Sequence, residues 1–207
     1  MIGSKYFQLI GLLALSFSLS TQVQAEQNAC PAKLFNTIGR ALKIENLQGD
    51  NQVIAAQVCK PWPYDKNSLL TAFAFNEGVE GEKTYIVAIV DAKTLQPRAS
   101  YKSTILEDAA TEATEGSLKL DTAKYQLSPV VRAFGVRFSS GARGASCADG
   151  SYWDELTLFM RQEEKLVPIF KQNMQSQAVS SGCIGSATGH DVWEYTKKTI
   201  SIAPSST

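Results

Sequence analysis

The chain has 207 residues, of which 44% are apolar and 19% are charged. This is the composition of a globular protein, and the length suits one domain with a substantial core. The 20 basic residues balance the 20 acidic ones, so the formal net charge is zero. Such a balance argues against the basic surfaces that bind nucleic acid or anionic membranes, and we expect neither partner.

The first 25 residues predict export. Lys5 precedes an apolar run from Phe7 to Leu19, and Val23-Gln24-Ala25 supplies residues that signal peptidase accepts. We therefore expect a signal peptide at 1–25, cleaved after Ala25, and a single β-rich domain at 26–207 in the periplasm or outside the cell. The apolar run is shorter than the roughly 20 residues that span a bilayer, so we expect no stable membrane span after cleavage.

Four cysteines follow the cleavage site: Cys30, Cys59, Cys147 and Cys183. In an exported protein an even number predicts structural disulfides, because the compartment oxidises thiols. Three connectivities are possible and the sequence does not choose among them, although clustering favours Cys30–Cys59 and Cys147–Cys183. We predict no metal site and no cofactor, because no two cysteines are close in sequence and His190 is the only histidine.

The first predicted element of the domain is a helix at Pro31–Leu42. Proline is tolerated at a helix start, and Leu34, Phe35 and Ile38 share one face at helical spacing. Gly39 is the residue that disfavours this helix.

Beyond the helix the chain predicts strands separated by turns, with prolines at Lys60–Asp65 excluding a central strand there. The acidic segment Glu107–Gly116 predicts a solvated loop or short helix. The whole pattern indicates a mainly β (α+β) fold: an antiparallel β-sheet, barrel or sandwich-like domain with one N-terminal helix, stapled by disulfides. The predicted strands are Val53–Val58, Leu69–Phe75, Thr84–Val90, Pro97–Ile105, Leu118–Asp121, Val130–Phe138, Leu156–Met160, Leu166–Lys171 and Trp193–Ile202.

No catalytic constellation is visible in the sequence. There is no Gly-x-Ser-x-Gly motif, and His190 is the only candidate for a histidine base. Asp154 and Glu155 are adjacent, so on a strand they point to opposite faces and do not converge on one bond. We therefore expect a protein that is not an enzyme.

Two segments carry candidate binding residues. Trp62 stands in the proline-aromatic segment Cys59–Tyr64, which is either a recognition surface or a turn with Trp62 folded onto the core. The second segment is the small-residue loop Ser139–Gly150, with Arg143 near its middle, where a charge-assisted pair with a partner's carboxylate is possible.

Part of this loop resembles a known inhibitor family. Ser140-Gly141-Ala142-Arg143 and Ala145-Ser146 are similar to the Ser-Gly-x-Arg-Tyr-x-Ser loop of bacterial periplasmic lysozyme inhibitors, with Gly144 where the family has tyrosine. The resemblance implies a small antiparallel barrel that presents the loop to the lysozyme active-site cleft. It further implies that Ser140 enters the cleft and that Arg143 supports or contacts it.

The expected function is therefore non-enzymatic binding of an unspecified protein or envelope component. The alternative is a periplasmic inhibitor or immunity protein against a lysozyme-like cell-wall hydrolase, with Ser140, Arg143 and Trp62 in contact. A hydrolase built on scattered carboxylates is the third class.

Overall fold

The computed structural model describes residues 30–44, 47, 54–142, 150–181 and 192–203. The predicted signal peptide, Arg143, Cys147, Cys183 and His190 lie outside these residues. No helix in the described ranges is long and apolar enough to cross a membrane. The prediction of a mainly β fold with one N-terminal helix is confirmed. The elements are α1 (Ala32–Leu42), β1 (Ile54–Pro61), β2 (Ser68–Phe75), β3 (Glu82–Asp91), β4 (Pro97–Leu106), β5 (Leu118–Gln126), β6 (Arg132–Phe138), β7 (Gly150–Gln162), β8 (Lys165–Ser181) and β9 (Val192–Lys197).

The strands form one sheet that curls back on itself. Their order is β1-β2-β3-β4-β8-β7-β6-β5, and β9 pairs with the far part of β8. Strand β5 lies against β1 and β2, so the sheet is nearly closed. Neighbours pair in antiparallel fashion except for β4 and β8, which are parallel and share the single register pair Ser100–Lys165.

The main core fills the inside of the curled sheet. Alternate residues of each strand point inward, as the pleat requires, and the inward residues of β2 and β3 that are fully buried are small or aliphatic. Phe134 and Phe159, which are paired on the neighbouring strands β6 and β7, stack inside the curled sheet with ring centroids 6.0 Å apart. The buried inward side chains include Ala56, Val58, Leu70, Ala72, Ala74, Val87, Ile89, Leu118, Leu120 and Val136.

Helix α1 covers the outer face of β1, β2 and β3. Leu34 and Ile38 are fully buried there, and Phe35 meets Phe73 edge to face with ring centroids 5.2 Å apart. The alternate residues Ile86, Ala88 and Val90 of β3 face this helix, which explains why the strand is continuously apolar from Tyr85 to Val90. The Cys30–Cys59 disulfide joins the chain before α1 to β1, so the predicted pairing of these two cysteines is confirmed.

Candidate functional site

A large cavity opens between β4 and β8. These strands meet where the Ser100 N–H donates to the Glu164 carbonyl oxygen at 3.1 Å. Beyond that point the two strands share no further register pair in the described residues. A cavity of about 1360 Å³ lies behind this opening and reaches into the interior of the sheet.

The cavity wall combines aromatic rings with short polar side chains. Its inner end is formed by Phe159, whose ring lies 5.2 Å from that of Tyr101 between centroids. Such a wall binds ligands that have both an apolar surface and hydrogen-bonding groups. The aromatic lining residues are Tyr85, Tyr101, Phe138, Trp153, Phe159, Phe170 and Trp193, and the polar ones include Ser103, Thr157, Asn173 and Gln177.

Among the residues that line the cavity, Tyr85 has the most strongly shifted pKa. Burial raises the pKa of its hydroxyl far above the ordinary value of 10, and the nearby Tyr101 and Glu155 raise that pKa further. The phenol therefore stays neutral and remains available as both donor and acceptor.

One ion pair lies in the wall of the cavity. Lys171 Nζ lies 3.0 Å from Glu155 Oε1, and the Lys171 side chain is 66% exposed. Because this pair is open to solvent, it contributes at most about 1 kcal/mol to stability. Its charges are therefore available to a ligand at small cost.

The acidic segment after β4 forms one end of the cavity wall. It is a loop, as predicted, but its first acid is not merely solvated: the Glu107 carboxylate pairs with Lys83 at 2.5 Å and accepts the Ala113 N–H. The loop is also fastened to the end of β6, because the Glu112 N–H donates to Ser140 Oγ at 2.9 Å. Ala109, Ala110 and Thr111 line the cavity.

Ser140 lies at the rim of this cavity. Its hydroxyl accepts the Ala142 N–H at 3.0 Å in addition to the Glu112 N–H, so it fixes the turn after β6. The structure thus gives Ser140 an anchoring role. A contact with a lysozyme cleft stays a prediction, and Arg143, which would share it, lies outside the described residues.

Trp62 belongs to the interior and is absent from the cavity lining. The Trp62 backbone N–H donates to the Ser68 carbonyl oxygen at 3.0 Å, and the indole ring packs against the Phe134 ring with centroids 6.1 Å apart. The indole Nε1 is buried and has no hydrogen-bond partner in the described structure. A contact between Trp62 and a partner stays a prediction.

Asp154 and Glu155 point to opposite faces of β7, as predicted. Glu155 lines the cavity, whereas Asp154 lies on the outside, where its Oδ2 accepts a hydrogen bond from Arg137 Nη1 at 2.6 Å. Arg137 Nε also donates to Asp121 Oδ2 at 3.0 Å, and the Tyr125 hydroxyl donates to the same atom at 3.0 Å. This cluster, which we call the outer ion network, binds β5, β6 and β7 together.

The outer ion network changes the pKa values of its members. Burial works to raise the pKa of Asp121, but hydrogen bonds from the Ala123 N–H, Arg137 and Tyr125 outweigh it and leave that pKa below 3.8. Burial, and then the charge of Asp121, raises the pKa of Tyr125 to about 12. Asp121 is therefore ionised and Tyr125 neutral at physiological pH, which makes the network a structural feature.

The cavity residues were not predicted from the sequence, because every second residue of a strand points to the same face and the sequence does not show which of the two faces lies inside the sheet. Tyr101-x-Ser103-x-Ile105 in β4 and Trp153-x-Glu155-x-Thr157-x-Phe159 in β7 alternate with residues on the outer face. The signal that marks them is a mixture of aromatic and polar types on one face of both strands. Only the fold shows that this face looks inward.

The described residues contain no group of three or more His, Cys, Asp or Glu side chains placed to hold a metal ion. Comparison with known proteins finds no family model that matches the chain, and no curated protein or solved structure that is significantly similar to it.

Proposed function

We propose that the protein is a non-enzymatic binding protein and that its ligand occupies the cavity between β4 and β8. The observation that carries this proposal is a cavity of about 1360 Å³ whose wall combines aromatic rings with polar groups, among them the neutral Tyr85 hydroxyl. Aromatic rings supply large contact area at little cost in conformational entropy, and the polar groups between them orient a ligand.

The placement of the carboxylates supports binding rather than hydrolysis. Glu155 lines the cavity but is paired with Lys171, and Asp154 is on the other face of the sheet in a salt bridge with Arg137. Acid–base cleavage of a glycosidic bond needs two carboxyl groups that flank the bond. Asp154 and Glu155 are not arranged in that way.

We further propose that the protein works in the periplasm or outside the cell, after cleavage following Ala25. The Cys30–Cys59 disulfide supports an oxidising compartment, where such bonds persist. Fractionation of the native host cells, with the mass of the recovered chain, tests both parts. A chain that begins at Glu26 in the periplasm or the medium is expected, and an unprocessed chain in the cytoplasm would contradict the proposal.

Binding in the cavity is tested with a library of aromatic fragments screened by ligand-observed NMR. Thr157 lines the cavity, so Thr157→Trp fills part of it. The matched control is Thr196→Trp, at an exposed position of β9 that is absent from the lining. We expect fragments to bind the wild type and Thr196→Trp, and to lose at least about tenfold in affinity on Thr157→Trp, because a filled site has no room for the ring.

Two results would overturn this proposal. One is a screen in which no fragment binds the wild type. The other is binding that Thr157→Trp leaves unchanged while its near-ultraviolet circular dichroism shows a native fold, because the ligand would then lie elsewhere.

The alternative that the loop after β6 suggests, inhibition of a lysozyme-like hydrolase, uses the loop at the rim of the cavity and not the interior of the cavity. It is favoured by the position of Gly141, which is exposed in the turn after β6, between the cavity-lining residues Ser140 and Ala142. Muramidase assays with several lysozyme types separate it from cavity binding. Inhibition that Arg143→Ala abolishes and Thr157→Trp leaves intact would support the inhibitor, and no inhibition by the wild type would remove it.

A further inference from the structure

The mouth of the cavity is bordered by two strand edges without backbone partners in the described structure. On β4 the edge toward β8 is unpaired from Tyr101 to Leu106. On β8 the facing edge is unpaired from Leu166 to Asn173, because the next bond on that side comes from Lys198 N–H to the Met174 carbonyl oxygen. At about 3.3 Å per residue the unpaired part of β8 is roughly 26 Å long.

The mouth of the cavity is bordered by the edges of both strands and not by one face of either. A surface made by one face of a strand receives every second residue. The lining here instead includes the consecutive residues Ser103–Leu106 of β4 and Pro168–Lys171 of β8. Main-chain groups of both strands therefore border the mouth together with their side chains.

We propose that the mouth binds an extended peptide segment, which pairs with the edge of β8 as an added strand and places every second side chain in the cavity. This inference rests on the proposed function, because it names the chemical class of the ligand for the same site.

The unpaired main-chain groups favour a peptide over other elongated ligands. A ligand that covers N–H and C=O groups without bonding to them incurs about 1–3 kcal/mol for each group left unsatisfied. An acyl chain cannot bond to them, whereas a peptide strand satisfies alternate groups along the edge in regular register.

The site is also continuous with an existing strand interface. Strand β9 covers the same edge of β8 from Gln175 onward, so an added strand lies in line with β9 and extends the sheet toward β4. Pro168 interrupts the unpaired edge, and proline in a strand is typical of an edge position because it has no N–H to donate.

The side chains at the mouth specify the kind of peptide. Leu106, Ile169 and Phe170 are 67%, 39% and 37% exposed at the rim, and aromatic rings line the interior. Large apolar or aromatic residues at alternate positions would bury this surface. We therefore expect a peptide with period-two aromatic or aliphatic residues.

The test selects binders from a random decapeptide display library on the full-length oxidised protein. Each selected peptide is then resynthesised with single N-methyl groups along its backbone, since N-methylation removes one N–H donor and leaves the side chain in place. We expect losses of at least about tenfold in affinity at every second position and small effects between them, because a strand directs alternate N–H groups to one neighbour. Binding to Thr157→Trp is expected to fall, and binding to Thr196→Trp is not.

The outcomes separate this inference from the proposed function. No enriched peptide, or an N-methyl profile without the period of two, would overturn the peptide inference. If aromatic fragments still bind the wild type and not Thr157→Trp, the cavity is a ligand site for another class, and palmitate and maltoheptaose are the probes for acyl chains and glycans. If neither fragments nor peptides bind, both proposals fail.

Discussion

Asp154 and Glu155 are neighbours in β7, and their carboxylates lie on opposite faces of the sheet. Asp154 lies outside, 2.6 Å from Arg137 Nη1, and Glu155 lies inside, 3.0 Å from Lys171 Nζ. The alternation of a strand explains this separation, although Asp154 has a φ of 60°, in the left-handed region that aspartate and asparagine adopt more readily than other non-glycine residues. One dipeptide thus contributes to both the structural network and the cavity wall.

The outer ion network predicts a loss of stability in acid. The pKa of Asp121 is lowered in the folded protein, so its contribution is present above the unfolded value of about 3.9 and is lost as pH falls below it. We expect Asp121→Asn to reduce the free energy of unfolding by about 1.5–3 kcal/mol at pH 7, because charge-assisted hydrogen bonds from Arg137 and Tyr125 are lost.

This difference between wild type and variant is expected to shrink as pH falls below about 4, where the wild-type carboxyl is itself protonated. Urea denaturation from pH 7 to pH 2.5 measures it. Glu194→Gln, at an exposed position of β9, is the control and should follow the wild-type curve. If the difference in free energy of unfolding between the wild type and Asp121→Asn stayed constant with pH, the negative charge of Asp121 would not be its cause.

We expect the substitution Gly39→Ala to destabilise the protein, although alanine has a higher helix propensity than glycine. In an exposed helix interior, Gly→Ala stabilises by about 1 kcal/mol. At Gly39 an added Cβ would lie 3.1 Å from both Cβ and O of Leu47 and 3.3 Å from the Ile44 carbonyl oxygen. We therefore expect Gly39→Ala to lower the free energy of unfolding by about 1–3 kcal/mol, as overpacking does.

Asn36→Ala, on the exposed side of the same helix, is the control for Gly39→Ala. We expect it to be neutral or to stabilise by about 0.5 kcal/mol, because alanine has the higher helix propensity. Thermal and urea denaturation of both variants make the comparison. A more stable Gly39→Ala would mean that Leu47 moves aside at no cost.

Most helices and strands can be predicted from the sequence, because the buried face of each element requires apolar residues at a regular spacing. Strand β3 is continuously apolar from Tyr85 to Val90, because α1 covers one of its faces and the interior covers the other. The helix itself was predictable from Leu34, Phe35 and Ile38, although Gly39 argued against it. Its glycine is required by the close approach of Leu47, which no local pattern reveals.

The cavity was not predictable, because it depends on how two distant strands meet. Strands β4 and β8 are joined at Ser100 and Lys165 alone among the described residues, and the separation beyond that pair creates the opening. Nothing in either segment indicates its neighbour. Ser140 was singled out for its loop, but its hydroxyl holds the acidic segment against β6, a long-range contact that propensity does not report.

The Cys30–Cys59 disulfide predicts a large effect on stability. It closes a loop with a sequence separation of 29 and holds the start of α1 against β1. A loop of this length corresponds to about 3–4 kcal/mol in the chain-entropy account. We expect the double variant Cys30→Ala, Cys59→Ala to lose that amount in urea denaturation, and a loss under about 1 kcal/mol would show that packing of α1 alone determines its docking.

The unpaired edge of β4 predicts an alternating pattern of amide exchange. Strand β3 is paired on both sides, to β2 and β4, so its amides from Thr84 to Val90 have bonding partners in either direction. Strand β4 is paired only to β3 from Tyr101 to Leu106, so every second N–H points toward the mouth of the cavity. Those amides should exchange fast and their neighbours slowly, because exchange without a hydrogen bond requires no opening of the sheet.

Hydrogen–deuterium exchange followed by NMR resolves these amides one by one, with β3 as the internal control. Uniform protection along β4, equal to that of β3, would contradict an open edge and with it the geometry of the mouth. Addition of a selected peptide should slow the fast amides of the facing edge of β8 between Leu166 and Asn173, because a paired strand supplies acceptors to them. A peptide that slows no amide on that edge would bind in the cavity without strand pairing.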